Sequence, residues 1–197
     1  EENEIPAILN SLDKNLFHFK EEELFKEGGE KVIWRAFDTR TDRHVAIARP
    51  RDISSVYEKE AFLREARVTS KLQHPNILPV YEIGLDENEV PYFVMRLLRG
   101  EDLRTVIDGT CSTSSGKTRT MEELLGFFLK LCDAMIYAHS MAVLHLDIKP
   151  ANVMIGRYGQ VHLLDWGLSV VKDVGKGGLD PDLLNSVVCT GSMKGTP

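Results

Sequence analysis

The stretch His145-Leu146-Asp147-Ile148-Lys149-Pro150-Ala151-Asn152-Val153-Met154, followed thirteen residues after Asn152 by Asp165-Trp166-Gly167, decides how the rest of the chain is read. An Asp, a Lys two residues on and an Asn five residues on converge only in a tight loop. A second Asp beside a Gly can reach them after a short hairpin. Together they supply one carboxylate for an attacking hydroxyl, one cation for a moving phosphoryl group and two oxygen ligands for magnesium. A lone loop Asp is more often a turn former or helix cap. Four polar residues at fixed spacing point instead to phosphoryl transfer.

Composition is compatible with this reading. At 197 residues and 43% hydrophobic content, the chain can bury a sizeable core as one domain or two lobes. A formal net charge of -6 argues against a general nucleic-acid or anionic-membrane surface. Cys111, Cys132 and Cys189 are far apart, with no CxxC and no His pair at ligand spacing. That pattern fits a reducing cytoplasm better than a disulfide framework or a zinc site. No apolar run reaches the roughly 18 residues of a membrane span. The chain opens on Glu1 rather than Met, which reads as a piece of something longer.

The texture changes near residue 100. Before it, short β-branched and aromatic segments (Leu24-Phe25, Val32-Ile33-Trp34, Val45-Ala46-Ile47, Leu78-Pro79-Val80-Tyr81, Tyr92-Phe93-Val94-Met95) alternate with Gly, Asp and Asn turns, predicting a five-stranded antiparallel sheet. One helix interrupts it over residues 56 to 72, with Phe62, Ala66, Thr69 and Leu72 near helical spacing and Pro75 closing it. After Gly100 the pattern turns helical, with Leu124, Phe128, Leu131, Met135 and Ala138 as one apolar face. Strands around 152–155 and 161–164, joined through Gly156-Arg157-Tyr158-Gly159, predict a hairpin that presents Asn152 and Asp165 at one edge. Gly116-Lys117-Thr118 after Gly109 suggests a phosphate-binding loop, but six residues rather than four separate the glycines and a helical stretch precedes it. It reads as a flexible insertion.

The two polar motifs resemble H-R-D-x-K-x-x-N and D-F-G of eukaryotic-type Ser/Thr protein kinases, in their bacterial form, with Leu146 for Arg and Trp166 for Phe. The resemblance runs from about Phe19 to the end and implies an α+β, protein kinase-like two-lobe fold. Its divisions are an N-terminal extension (1–18), a small antiparallel β lobe (19–98) and a partial helical lobe (99–197) ending in the activation segment. It implies ATP and magnesium as cofactors and Ser/Thr hydroxyls of proteins as acceptors. Asp147 then orients and deprotonates the acceptor, Lys149 marks the Ser/Thr pattern, and Asn152 and Asp165 hold the metal. His145 supports the loop. The segment Phe93-Val94-Met95-Arg96-Leu97-Leu98-Arg99-Gly100-Glu101-Asp102-Leu103 matches the hinge. There Met95 lies behind adenine, the backbones of Arg96 and Leu98 meet its edge, and Asp102 faces the ribose. Met154 is the floor of the adenine pocket, and Ile33 and Ala46 are its roof.

The phosphate-binding cation is where the chain departs from the family. The third strand reads Val45-Ala46-Ile47-Ala48-Arg49 where V-A-I-K is expected. Arg49 is one residue late, and side chains alternate across a strand, so it should face the other way. The glycine-rich loop, Lys26-Glu27-Gly28-Gly29-Glu30-Lys31-Val32-Ile33, keeps the second glycine as Gly28, with Gly29 after it, but puts Lys26 and Lys31 where the first and third glycines should be. This is similar to the with-no-lysine (WNK) kinases, whose phosphate-binding Lys comes from this loop. Neighbouring strands are about 4.8 Å apart, so Lys31 can reach the same phosphates and should pair with Glu65 of the helix. The bland alternative is a solvated hairpin Lys.

Gly195-Thr196-Pro197 resembles the start of the stretch that ends the activation segment, so the chain reads as truncated there. Residues 169–197 read as mobile, and self-association through the incomplete large lobe is expected. Leu146 lacks the guanidinium that reads an activation-loop phosphate. Retention of Asp147, Lys149, Asn152, Asp165 and Glu65 favours an ATP-dependent protein kinase. Ala48 and the altered glycine loop leave open a pseudokinase acting as a nucleotide-binding or scaffolding module. A small-molecule kinase of related fold is the third reading.

Overall fold

The computed structural model describes residues 18–52, 54, 56–109 and 119–171. The N-terminal extension, the Gly116-Lys117-Thr118 segment and the chain after Val171 lie outside them, and with them Cys111, Cys189 and the Gly-Thr-Pro ending. The chain divides into two compact units. The first takes the chain to Arg67 together with Val80–Leu97, and the second takes Val68–Pro79 and the chain from Leu98.

In the first unit, β1 (Phe19–Glu27), β2 (Lys31–Asp38), β3 (Arg43–Pro50), β4 (Val80–Leu85) and β5 (Pro91–Arg96) form the expected sheet, in the order β1-β2-β3-β5-β4 with every pair antiparallel. Alternation along the strands gives the sheet two apolar faces. One gathers Ala36, Val45, Ile47, Tyr92 and Val94, with Phe19 packed against them. Tyr92 is fully buried there and donates its hydroxyl to Glu82 Oε1 (2.9 Å), while His18 Nε2 lies 3.4 Å from Glu82 Oε2. The other face carries Ala46, Ala48, Phe93 and Met95, which register directly across β3 and β5.

Helix α1 (Val56–Lys71) begins in this unit. Phe62, Leu63, Ala66, Thr69 and Leu72 are all buried, as their helical spacing requires. The Phe62 ring lies 4.9 Å from that of Phe93, and Leu63 joins Leu85 and Ile83, so α1 covers the second face of the sheet. Glu58 in the first turn and Lys71 in the last complement the helix dipole.

The second unit is built around Leu72, Ile77, Val143, Val153, Ile155, Val161, Leu163 and Trp166, all but excluded from solvent. It holds helices α2 (Leu103–Ile107) and α3 (Met121–Ser140), a three-stranded sheet in the order β6 (Gly100–Asp102), β8 (Val153–Gly156), β9 (Val161–Leu163), and the pair β7 (Val143–Leu144) with β10 (Val170–Val171). Thr120 opens α3 with a reciprocal cap. Its hydroxyl accepts from Glu123 N (3.2 Å) and its own N–H donates to Glu123 Oε2 (2.9 Å).

Two expectations are corrected. The strand expected at 78–81 starts only at Val80, because Pro79 has no N–H and Leu78 N donates to Leu163 O in the second unit (3.3 Å). On α3, Phe128 is 58% exposed, and its neighbour Phe127 is the buried ring beside Ala134 and Ala138. Leu124, Leu131 and Met135 do pack on the core as expected. A one-residue step turns a helix by about 100°, and two adjacent Phe residues on a helix apolar over most of its circumference left that choice open.

Close approach fixes one glycine. A Cβ on Gly100 would fall 2.1 Å from Ile155 O on the paired strand, whereas one on Gly126 inside α3 would meet nothing within 4 Å. Gly100→Ala should therefore destabilise the chain by about 2 kcal/mol through forced backbone shifts. Gly126→Ala should stabilise it by up to about 1 kcal/mol through helix propensity. Thermal melts of the two variants should move in opposite directions, and a common direction would contradict the packing described.

Candidate phosphoryl-transfer site

The second unit brings the predicted polar residues together around one hydrogen-bonded loop. Asp147 is 9% exposed, and its Oδ2 is held by Lys149 Nζ at 2.8 Å and by Asn152 Nδ2 at 3.0 Å. The same Asn152 amide nitrogen also donates to the Asp147 backbone carbonyl at 2.9 Å. Asn152 sits in a short 3-10 turn that starts with Pro150, where the missing proline N–H costs nothing. That turn leads straight into β8, and Leu164 N donates to Asn152 O at 2.8 Å. Asp165 is thereby placed one residue beyond a direct backbone link to Asn152.

His145 ties the loop to the same link. Its ring is 1% exposed, Nε2 meets Leu164 O at 3.0 Å and Nδ1 accepts from Asp147 N at 3.2 Å. Those two partners fix a neutral ring with its proton on Nε2. The Trp166 indole, also 1% exposed, lies against it with ring centroids 4.6 Å apart. Leu146 and Asp165 both take φ +62°, a left-handed conformation unusual for residues with a Cβ. Such strain costs on the order of 1 kcal/mol per residue and persists only where the surroundings hold it. Here the two strained residues flank the His145–Leu164 contact.

The donor set suits a hard cation. The Asn152 amide nitrogen is committed to Asp147, which leaves its carbonyl oxygen as the group a cation would meet. The Asp165 carboxylate is a second hard oxygen donor, next in sequence to the Leu164 that bonds Asn152, and oxygen donors of this type are what magnesium takes. Among the described residues no cluster of three or more His, Cys, Asp or Glu exists, so a softer multi-ligand metal site has no counterpart there.

In the first unit the expected third-strand cation is absent and its face is occupied otherwise. Ala48 is fully buried opposite Phe93, with Ile33 beside it on β2 and Lys31 opposite Pro50 one rung further on. Lys31 Nζ bonds Glu65 Oε1 of α1, as the sequence predicted. Arg49 faces the other way, toward Tyr92. Burial and the Glu82 carboxylate hold that phenol above its ordinary range despite the opposing Arg49 charge. The glycine turn closes through Gly28 N donating to Lys31 O at 2.9 Å; a Cβ on Gly28 would sit 3.2 Å from that oxygen, and one on Gly29 would meet nothing within 4 Å.

The remaining predicted residues are placed as follows. Met95 registers with Ala46, both buried, and the exposed Arg96 ends β5. Leu98 opens the second unit. Asp102 caps α2, its Oδ1 accepting from Thr105 N at 2.8 Å and Thr105 Oγ1 at 3.1 Å. Met154 lies across from Asp102 and His162 in the three-stranded sheet. The sequence reading missed Arg51, which reaches the glycine turn. No spacing rule signals a contact between side chain and loop carbonyl across a hairpin.

Burial holds the His145 imidazole below the ordinary histidine range, against the pull of the Leu164 carbonyl and the Asp165 and Asp147 carboxylates. An unfolded chain would protonate it first, near pH 6.5. The neutral ring therefore contributes stability above that pH, and the contribution is lost as pH falls toward the lower folded value. The melting temperature should drop on acidification below about pH 6.5, and His145→Phe should flatten that part of the profile. An unchanged slope in the variant would exclude His145 as its source.

No helix among the described residues is long and apolar enough to cross a membrane. Comparison with known proteins agrees with the geometry. The protein kinase domain model matches residues 19–192. The chain is 37% identical over 151 residues to the serine/threonine-protein kinase PknD of Protochlamydia amoebophila, covering 73% of this chain and 15% of that protein. PknD of Chlamydia caviae is 30% identical over 185 residues (87% and 20%), and that of Chlamydia trachomatis serovar D is 31% identical over 193 residues (88% and 21%). The chain thus spans about a fifth or less of the length of these relatives. With an α+β architecture, an Asp147–Lys149–Asn152 loop beside Asp165 and a family match over nearly its whole length, the chain belongs to the protein kinase domain family.

Proposed function

We propose that this chain is the phosphotransfer part of an ATP- and magnesium-dependent kinase acting on Ser and Thr hydroxyls of proteins. The observation that carries the reading is the Asp147 carboxylate gripped by Lys149 and Asn152, with Asn152 bonded through its backbone to the residue before Asp165. The relatives named serine/threonine-protein kinases support it. A reducing cytoplasm fits the free Cys132 thiol.

Phosphoryl transfer depends on positioning and charge more than on covalent chemistry. Asp147 orients the acceptor hydroxyl and takes its proton. Lys149, already paired with Asp147, is placed to balance charge on the transferring group. Magnesium, when bound, neutralises phosphate oxygens, and the Asn152 carbonyl oxygen and the Asp165 carboxylate are the groups that would hold it. Ile33, Ala46, Met95, Met154, the backbones of Arg96 and Leu98, and Asp102 are the proposed nucleoside contacts, with Gly28 and Gly29 in the phosphate turn.

The missing strand Lys is proposed to be replaced by Lys31, as in the with-no-lysine kinases. Two unit charges at about 4 Å interact by roughly 4 kcal/mol at an effective dielectric of 20, before desolvation is subtracted. Even a fraction of that decides which ATP geometry is populated. The partly buried Lys31–Glu65 pair supports the relocation, because Glu65 is the residue the family pairs with its phosphate-binding Lys.

Two sets of variants test this, each in a protein shown to phosphorylate a substrate. Asp147→Asn should lower kcat by at least about a hundredfold with nucleotide affinity nearly unchanged, while Asp165→Asn should abolish magnesium-dependent nucleotide binding or turnover. Full phosphotransfer by Asp147→Asn would refute the loop assignment. Lys31→Met should remove activity, Arg49→Met should have a mild effect, and Ala48→Lys should restore part of what Lys31→Met loses. Equal loss from Lys31→Met and Arg49→Met would contradict the relocation.

A further inference from the structure

A cation on the middle of a strand is held by the sheet, but a cation at a hairpin tip is only as well placed as the hairpin itself. Lys31 is the first residue of β2, directly after the 28–31 turn begins, and turns of this kind are the most mobile part of a sheet. Moving the phosphate-binding charge from β3 to this turn therefore creates a need for something to hold the turn. Arg51, the residue after β3, meets that need twice. Its backbone N–H donates to Glu30 O at 2.9 Å, and its guanidinium Nη1 donates to Gly28 O at 3.2 Å. The two accepting carbonyls bracket Gly29, and Gly28 N closes the turn onto Lys31 O. The tip carrying Lys31 is thus tied to β3 from one side and to α1, through Glu65, from the other.

We propose that Arg51 is a positioning residue that holds the glycine turn against β3, so that Lys31 stays aligned with Glu65 for phosphate binding. The inference rests on the reading of Lys31 given above. Arg51 makes no phosphate contact in it, and its guanidinium acts only through the Gly28 carbonyl. Removing the guanidinium leaves the backbone bond to Glu30, so the turn loosens without unfolding. Apparent nucleotide affinity falls by the fraction of time that Lys31 is out of place. Where the cation is instead carried by β3, the position of the turn no longer sets the position of the charge, and Arg51 keeps influence only through the turn's own phosphate contacts.

The test is the affinity of the 197-residue chain for a non-hydrolysable ATP analogue with magnesium, measured by titration, alongside thermal melts. Arg51→Met should weaken binding about five- to tenfold, as for a turn correctly placed about a tenth to a fifth of the time, and Arg51→Lys, which keeps one donor, should lose less. In the Lys31→Met, Ala48→Lys background, Arg51→Met should weaken binding clearly less, because only the turn's own backbone contacts to phosphate remain to be loosened. An equal loss in both backgrounds would mean a general structural or direct electrostatic role and would overturn the proposal. If Lys31→Met weakens binding while Arg51→Met does not, the tether falls and the Lys31 reading stands. If Lys31→Met has no effect, or the unaltered chain does not bind the analogue, the Lys31 reading falls and the tether with it.

Discussion

A strand has two faces and cannot lend a side chain to both. On β3 that constraint puts Ala48 on the side covered by α1 and sends Arg49 to the side of Tyr92. The cation next in sequence is therefore on the wrong face, and no rotamer change corrects it without a bulge. Lys31 lies on the right face one strand over, opposite Pro50 and next to the Ile33–Ala48 pair. It finds Glu65 there. The proposed use of the glycine turn and the proposed role of Arg51 both rest on Ala48 standing where the family has its strand Lys.

The second unit solves a different problem, how to hold Asp147 and the backbone beside Asp165 in fixed positions with few residues. It does so through the Leu164 backbone, whose N–H is taken by Asn152 O and whose carbonyl is met by His145. Asn152 and His145 in turn hold Asp147. Strain at Leu146 and Asp165 is tolerable because both residues are bracketed by these bonds and by the Trp166 indole. A Trp where the family has Phe fills more space against His145, and its burial keeps water from the ring whose neutrality the Asp147 N–H requires.

Much of this was legible in the sequence because it rests on local rules. Strand alternation gave the five-stranded sheet, helical spacing gave α1, and motif spacing gave the cluster of Asp147, Lys149, Asn152 and Asp165. The pairing of Lys31 with Glu65 was legible for the same reason, since register and face follow from a period of two. What escaped depends on contacts between distant segments. The start of β4 was shifted by the bond from Leu78 to Leu163, and the choice of Phe127 over Phe128 was made by packing. The β6 strand is only three residues long and is defined by its partner β8 rather than by its own composition. The hold of Arg51 on Gly28 O crosses a hairpin from an exposed position. Nothing in its flanking sequence marks it.

The proposals for the first unit turn on one point, that a lysine from the glycine turn does the work of the missing strand lysine. A crystal structure of the chain with magnesium and a non-hydrolysable ATP analogue tests it most directly. Lys31 Nζ should lie within hydrogen-bond distance of an α- or β-phosphate oxygen while still beside Glu65. Lys31 pointing into solvent, with the phosphates held by Arg49 or by no cation of this chain, would contradict it.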